Sequence, residues 1–165
     1  MTTEQLAAEL SSGQAERRLA AARTLASLGQ AAAPAAAILA ATTGDAQAGE
    51  WCVAALEELG PPPVDQLGAL TRLANEPDES IAYWAATLLG RRGPDAAAAT
   101  NALATAAESH PAPAARERAV WALGEIGPAA SAAAATLEAL ARSDQARLSR
   151  LAGQALEAIN GASKG

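Results

Sequence analysis

The residues that could carry out chemistry are few and far apart in this chain. It has a single histidine, His110, and a single cysteine, Cys52. Acid–base and nucleophilic catalysis need a proton carrier beside a nucleophile, and a zinc site needs about four ligands, so these two residues supply neither. The adjacent carboxylates Glu57 and Glu58 diverge by about 100° on a helix, which favours a solvated face over a catalytic pair. The sequence therefore predicts no enzyme and no catalytic, cofactor-binding or metal-binding residue.

The two reactive residue types have simpler roles in this interpretation. His110 stands in the segment SHPAP, at residues 109–113, which is typical of a connector between helices. We expect it to be a solvated loop residue. Cys52 falls on a predicted core stripe, and we expect it to be a small buried hydrophobe.

Composition and charge exclude several classes of partner. The chain has 165 residues, is 50% hydrophobic, largely through alanine, and carries 12 basic against 18 acidic residues. A net charge of −6 without a basic run disfavours nucleic acid. No apolar stretch is long enough to cross a bilayer, and the N-terminus lacks the features of an export signal. We therefore expect a cytoplasmic protein that binds neither nucleic acid nor membrane.

A repeated pattern organises the elements that must position any site. A closing glycine or asparagine with leucine four residues before it recurs at positions 29, 60, 93, 127 and 160. An apolar residue directly precedes it in every case except the weaker match at Gly93, which follows Arg92. The intervals of 31 to 34 residues indicate a repeat array. The sequence predicts one domain over residues 1–165 that contains about five repeats, with a flexible tail at 161–165.

Each repeat is predicted to be an antiparallel helix pair. A small residue eight positions before the closing residue, with the leucine four before it, forms the buried stripe of the first helix. A second helix follows, with a leucine ten residues after the closing glycine. Asp45, Asp78 and Asp144 are the predicted N-caps of first helices. The predicted helices span residues 3–12, 15–28, 33–42, 46–59, 62–75, 79–91, 95–109, 113–126, 129–142 and 145–159.

Two segments carry a family resemblance, ERRLAAARTL at 16–25 and RAVWALGEIG at 118–127. They resemble the short HEAT-like repeats of the phycobilin-lyase type, and the resemblance extends over about residues 3–160. It implies an all-α, right-handed α-solenoid with first helices on the convex side and second helices on the concave side. Gly49, Ala82 and Ser149 depart from the pattern, since these repeats often carry there the arginine seen at Arg18 and Arg116.

Two surfaces are candidates for partner binding. Trp51, Trp84 and Arg118 occupy equivalent positions in successive repeats, which favours packing of Arg118 over an indole. Tyr83 and Trp121 are expected to point outward and to form a contact surface. The presumed concave face is small and nearly uncharged, and its predicted polar anchors are Arg72, Asn75, Asn101, Thr105, Glu108 and Arg142.

These features favour a non-catalytic scaffold that binds a protein or peptide along the solenoid. The alternative is an accessory subunit like the chromophore lyases, which holds a small ligand such as a tetrapyrrole. A role like that of the HEAT-like DNA glycosylases is disfavoured by the acidic balance. The uneven repeat intervals favour a natural sequence over a designed consensus.

The last predicted helix, 145–159, has no second helix after it. Its apolar stripe exceeds what one neighbouring unit would cover, so we expect part of it to remain open. Pairing of two chains through this helix is therefore possible, with Arg147 and Arg150 at the rim.

Overall fold

The computed structural model describes residues 1–161, and over that range it is entirely helical. The predicted flexible tail falls mainly on residues 162–165, which lie outside the described range. The α-helices are α1 Thr3–Leu10, α2 Ala15–Ser27, α3 Ala36–Thr42, α4 Gly49–Glu58, α5 Leu67–Leu73, α6 Glu79–Arg92, α7 Thr100–Ser109, α8 Pro113–Ile126, α9 Ala134–Ala141 and α10 Ala146–Asn160.

The helices form two layers. The first helices of the repeats, α2, α4, α6, α8 and α10, make one layer, and each packs on the second helix that precedes it. A continuous core of buried residues runs through both layers from Leu6 to Ile159. The predicted α-solenoid of helix pairs is confirmed. α6, α8 and α10 stack closely side by side, whereas the backbones of α4 and α6 do not approach each other in this way.

The predicted core stripe is buried almost as expected. Leu25, Leu56, Leu89 and Leu123 are completely buried. Cys52 is also buried, as are the small residues at the equivalent positions of the other repeats. Leu156 is the exception, since it is only partly buried where the described stack ends.

The second helices begin differently from the prediction. The chain first makes a 3₁₀ segment at Gly29–Ala35, Gly93–Ala99 and Gly127–Ala133, and only then an α-helix. Pro94 and Pro128 stand at the starts of the last two segments and lack an N–H group, so the first turn costs no hydrogen bond there, whereas Pro34 lies near the end of its segment. The α-helical part of each second helix is therefore shorter than expected.

Glycine closes three of the first helices as predicted. Gly29, Gly93 and Gly127 have positive φ angles of 55°, 71° and 75°. At Gly93 and Gly127 ψ is −138° and −144°, so the backbone occupies a region open to glycine rather than the expected left-handed helical cap. Gly60 instead follows an extended residue and precedes three prolines, and Asn160 is still helical.

The predicted caps have different outcomes. Asp78 is the N-cap of α6, where its carboxylate accepts the N–H of Ile81 at 3.0 Å. Asp45 accepts the N–H groups of Gln47 and Ala48, one turn before α4 begins at Gly49. The prediction for Asp144 is wrong, because Gln145 stands at the N-cap of α10 without a side-chain bond.

His110 is buried, contrary to the prediction of a solvated loop residue. Its side chain is 6% exposed. The Nδ1 atom accepts the N–H of Ala112 at 3.0 Å, which places the proton on Nε2, where it is donated to the Glu76 carbonyl at 2.8 Å. The ring therefore joins the α5–α6 connection to the α7–α8 connection.

Arg18, Arg116 and Ser149 stand where the related repeats often carry arginine. Their side chains contact the end of the preceding second helix or the turn after it. Arg18 and Arg116 donate to the carbonyls of Ser12 and Ala107. Ser149 donates to the carbonyl of Ala141 at 2.6 Å. Arg18 also pairs with Asp45 at 2.8 Å, and no other residue at this position forms an Arg–Asp pair within residues 1–161.

The last helix is covered over most of its apolar stripe. Leu148, Ala152 and Ile159 are buried, and Leu151 and Leu156 are partly buried. Polar residues occupy most of the outward side of α10, and Arg147 pairs with Glu117 of α8 at 2.9 Å. The part of the stripe that remains open, as predicted, is confined to Leu151 and Leu156.

Candidate partner-binding site

The chemistry-bearing side chains form no catalytic arrangement in the described residues. No group of three or more His, Cys, Asp or Glu residues is placed to hold a metal within residues 1–161. Burial raises the pKa of the Cys52 thiol to about 12, so it remains protonated and weakly nucleophilic. In the same range, every helix is too short or too polar to span a bilayer.

Every aromatic ring in the chain lies against an arginine. The chain has three tryptophans and one tyrosine, all in first helices. Arg23 lies 5.3 Å from the ring centre of Trp51, and Arg91 lies 5.6 Å from that of Trp84. These are cation–π distances. The first-helix layer therefore carries a row of arginine–aromatic pairs.

Arg118 of α8 is held between two aromatic rings. Its guanidinium lies 4.5 Å from the ring centre of Tyr83 and 4.8 Å from that of Trp121. It also donates to the Tyr83 hydroxyl at 2.5 Å. Packing of Arg118 over an indole was expected between repeats, but its indole partner Trp121 belongs to α8 itself, and the ring it meets from the neighbouring repeat is that of Tyr83. Tyr83 and Trp121 are partly buried rather than exposed because they enclose this side chain.

Trp121 packs against a glycine of the neighbouring repeat. A β-carbon on Gly90 of α6 would lie only 2.4 Å from Cζ3 of Trp121. Gly124 repeats this arrangement one unit later, since a β-carbon there would lie 3.2 Å from Cα of Ala155. Both glycines stand three residues before a closing glycine, which is a sequence signal that the repeat alignment contains. The expectation that Trp121 points away from the stack is therefore wrong.

Arg91 was not predicted as a structural residue. Its Nη1 atom donates to the carbonyls of Leu56 and Leu59 at 2.7 and 2.6 Å. Burial, and then the nearby charge of Arg118, lower its pKa. The side chain bridges the space between α6 and the end of α4, where it satisfies helix C-terminal carbonyls.

Three adjoining clefts form one groove over α6, α8 and α10, called here the first-helix groove. The cleft of about 470 Å³ at the start of α6 is lined by Asp78, Glu79, Ser80, Tyr83 and Ala114. Tyr83 and Ala114 also line the middle cleft, of about 390 Å³. Arg118, Trp121, Glu117, Arg147 and Leu151 complete that middle cleft.

The groove continues between α8 and α10. Trp121 and Leu151 line both the middle cleft and a third cleft of about 130 Å³. The floor there consists of small residues, and Glu125 and Gln154 stand at its sides. The groove therefore has an aromatic middle that also contains Arg118 and the Glu117–Arg147 pair, a floor of small apolar residues beside it, and carboxylates near both ends.

The six predicted polar anchors lie elsewhere, on the second-helix face. All of them are exposed. Asn75 donates to the carbonyl of Ala102 at 3.0 Å, which links α5 to α7. Thr105 donates to the carbonyl of Asn101 within α7. Apart from this bond, side-chain hydrogen bonds do not join these six residues to one another within the described chain. The six anchors are Arg72, Asn75, Asn101, Thr105, Glu108 and Arg142.

Comparison with solved structures places the chain among helical repeat proteins. A designed armadillo repeat protein in complex with the peptide (KR)4 is 17% identical, with 94% of this chain and 80% of that chain covered and a TM-score of 0.66. An engineered protein is 22% identical; the match covers 96% of this chain and 79% of that chain, with a TM-score of 0.64. A chain of the CpcE–CpcF complex of phycocyanin lyase from Nostoc sp. PCC7120 is 23% identical; the match covers 98% of this chain and 66% of that chain, with a TM-score of 0.62.

At these identities the structural likeness shows the fold alone. No curated protein matches the sequence. The family model for HEAT repeats matches residues 67–157, which is more than half of the chain and contains α5 to α10. The helix pairs, the closing glycines and this match together show that the chain belongs to the HEAT-repeat family.

Proposed function

We propose that the chain is a single-domain, cytoplasmic, non-catalytic scaffold that binds a protein or peptide segment in the first-helix groove. The observation that carries the proposal is the cluster of Tyr83, Arg118 and Trp121 at the middle of the groove. Tryptophan, tyrosine and arginine are the residues most enriched at the energetic centres of protein interfaces. The chain has only four aromatic residues, and two of them meet here.

The cluster is rigid before any partner arrives. Trp121 is fixed against Gly90, and Arg118 is fixed by both rings and by the Tyr83 hydroxyl. Side chains that are already ordered lose little conformational entropy on binding. A partner that contacts this surface would therefore gain contact energy without ordering it first.

The second-helix face is the weaker candidate for the main contact. Its six predicted residues are exposed singly and surround no aromatic or apolar centre. Exposed polar residues of this kind usually contribute little energy to an interface. We propose that they act as secondary contacts for a partner that extends beyond the groove.

Two of the similar structures are complexes with another polypeptide, which fits a binding role. The designed armadillo repeat protein is in complex with a peptide, and CpcE is in complex with CpcF. We propose the same general use for this chain.

A selection with a displayed library of random peptides tests the proposal on the full chain. The Ala114→Gln/Ala158→Gln variant narrows the groove without removing a core residue, and Arg72→Ala/Asn101→Ala/Arg142→Ala changes the second-helix face. We expect selected peptides to bind the groove variant at least tenfold more weakly and to bind the second-helix variant normally. Circular dichroism and the melting temperature confirm that both variants fold.

The selection can also contradict the proposal. Failure to enrich any peptide would remove the scaffold function. Peptides that lose affinity only for the second-helix variant would move the contact to that face.

A ligand-holding accessory subunit is the second candidate, and one observation favours it. The middle cleft combines Trp121 and Tyr83 with the guanidinium groups of Arg118 and Arg147, which suits a flat aromatic acid. Glu117 already pairs with Arg147, and its negative charge would repel a bound anion. Absorbance titration with a bilin distinguishes the two functions: a saturable spectral shift that Arg118→Gln removes would favour the ligand.

Pairing of two chains through α10 is also proposed as a secondary property. Leu151 and Leu156 are the partly buried leucines of this helix, and Leu151 also lines the groove. Light scattering at high micromolar concentration measures the association. If the chain has the mass of a monomer at this concentration and Leu151→Glu leaves that mass unchanged, the pairing is excluded.

A further inference from the structure

We infer that the occupant of the first-helix groove is an extended segment of a partner protein with a basic residue at each end and an apolar residue between them. The inference rests on the proposed scaffold function and specifies the chemistry of the partner. Three features of the groove carry it: its unpaired carboxylates, the distance between them, and its apolar middle.

The carboxylates at the two ends of the groove are not neutralised by the chain itself, whereas Glu117 in the middle pairs with Arg147. Among the described residues, Glu79 and Glu125 take part in no ion pair and are exposed. Asp78 uses one oxygen to accept the N–H of Ile81 and also forms no ion pair. The chain as a whole carries a net charge of −6. An incoming basic segment would be attracted by the overall charge and would pair with carboxylates at both ends.

The two arginines of the groove do not reverse this preference. Arg147 pairs with Glu117 at 2.9 Å, and Arg118 is enclosed by Tyr83 and Trp121. Arg118 therefore forms part of the wall of the middle cleft. The positions left for a partner's charges are the carboxylate ends.

The distance between the ends sets the length of the segment. Glu79 stands 14 residues before its closing glycine and Glu125 stands two before its own, so they differ by 12 positions along parallel helices. At about 1.5 Å per residue and about 10 Å between neighbouring helices, their backbones are roughly 20 Å apart. An extended peptide covers about 20 Å with six residue steps.

The middle of the groove fits an apolar side chain. Trp121 and Leu151 line both the middle and the third cleft, and the adjoining floor is made of Gly124, Ala155 and Ala158. The three floor residues offer no side-chain hydrogen-bonding group, so a polar side chain laid on them would lose hydration without compensation there. A leucine-sized residue halfway between the basic residues would instead bury apolar surface.

Titration of the full chain with synthetic heptapeptides tests the inference by NMR. The probe has lysine at positions one and seven, leucine at position four and serine elsewhere. One control peptide replaces both lysines with glutamate, and another moves the lysines to positions three and five. We expect the probe to bind at least fivefold more tightly than either control, to shift the groove resonances, and to weaken as salt increases.

The protein variants make the test specific. Glu79→Gln/Glu125→Gln should weaken binding of the probe about three- to tenfold, as expected for the loss of two exposed ion pairs. Glu16→Gln/Glu138→Gln makes the same change in net charge at exposed carboxylates outside the groove and should leave binding unchanged.

Three results would overturn the inference: no groove shifts at millimolar probe, equal binding of the glutamate peptide, or no effect of the Glu79→Gln/Glu125→Gln change. The proposed function fails separately, when no library peptide binds at all. A different result is that library peptides require an open groove but bind the Glu79→Gln/Glu125→Gln variant normally. In that case the scaffold function stands and a basic partner is excluded.

Discussion

The indole of Trp121 occupies the space directly over Gly90, where a β-carbon would approach Cζ3 to 2.4 Å. These two residues belong to neighbouring repeats and lie 31 positions apart in the sequence. The glycine lets the ring approach α6 closely, and the ring in turn packs on Arg118, which also lies over Tyr83. The centre of the groove therefore depends on the absence of one methyl group.

Gly90→Ala should destabilise the fold. Alanine is favoured over glycine within a helix by about 1 kcal/mol, but overpacking against the ring should cost about 1 to 3 kcal/mol. Gly153→Ala is the matched control, because a β-carbon there meets nothing within 4 Å. It should stabilise by about 0.5 to 1 kcal/mol. Chemical denaturation measures both, and equal stabilisation of the two variants would contradict the contact with Trp121.

Leu123→Ala should cost about 2 to 5 kcal/mol, because Leu123 is completely buried in α8 and truncation leaves a cavity. Leu156 occupies the equivalent position in α10 but is only partly buried, so Leu156→Ala should cost clearly less. Urea denaturation midpoints compare the two variants. An unchanged midpoint for Leu123→Ala would refute the repeat alignment.

Cys52 should be unreactive in the folded protein. Burial raises its pKa to about 12, so very little thiolate forms at pH 8, and the sulfur is also inaccessible. A thiol reagent such as dithionitrobenzoate should react at pH 8 only after denaturation. Rapid labelling of the native chain would show that α4 opens readily.

His110→Ala should destabilise by about 1 to 3 kcal/mol because the Glu76 carbonyl and the Ala112 N–H each lose a partner at a buried site. Amide hydrogen exchange should accelerate in the α5–α6 and α7–α8 connections together. A stability close to that of the unmodified chain would indicate that water replaces both bonds without cost.

Asp45 predicts a pH dependence of stability. Hydrogen bonds from the N–H groups of Ala48 and Gln47, and then the bond and charge of Arg18, lower its pKa below the unfolded value. Its stabilising contribution is therefore present above about pH 4 and is lost as pH falls through the lower folded pKa.

The Asp45→Asn variant tests this sign. It should be less stable than the unmodified chain at pH 7, and the difference should shrink towards pH 2, measured by denaturation across that range. Asp144→Asn, at an exposed carboxylate without a capping bond, serves as the control. A difference that stays constant with pH would show that Asp45 contributes through its shape rather than its charge.

The sequence was sufficient to predict features that depend on a single helix, such as which of its residues are buried. The stripe of Leu25, Leu56, Leu89 and Leu123 follows helical periodicity, and each of these residues is buried. The pair of Gly90 and Trp121 could not be derived in this way, because it depends on how two helices of different repeats are rotated and spaced. Two glycines at equivalent positions were the available signal.

Connections were predicted less well than helices. The expected solvation of His110 rested on its position in the connector SHPAP at 109–113, whereas its burial depends on a carbonyl 34 residues earlier in the chain. The 3₁₀ segments before α3, α7 and α9 were likewise assigned as α-helix, since alanine-rich sequence suits both. The candidate groove arises from three helices together and has no counterpart in a single stretch of sequence.

The bridge made by Arg91 has a mechanical consequence. α6 and α8 pack closely along their backbones, whereas α6 reaches the end of α4 through one guanidinium and two carbonyls. The second-helix layer is continuous at this level, because α3 packs on both α5 and α6. We therefore expect a bending force to open the first-helix side between α4 and α6, with the packed second-helix layer as the hinge.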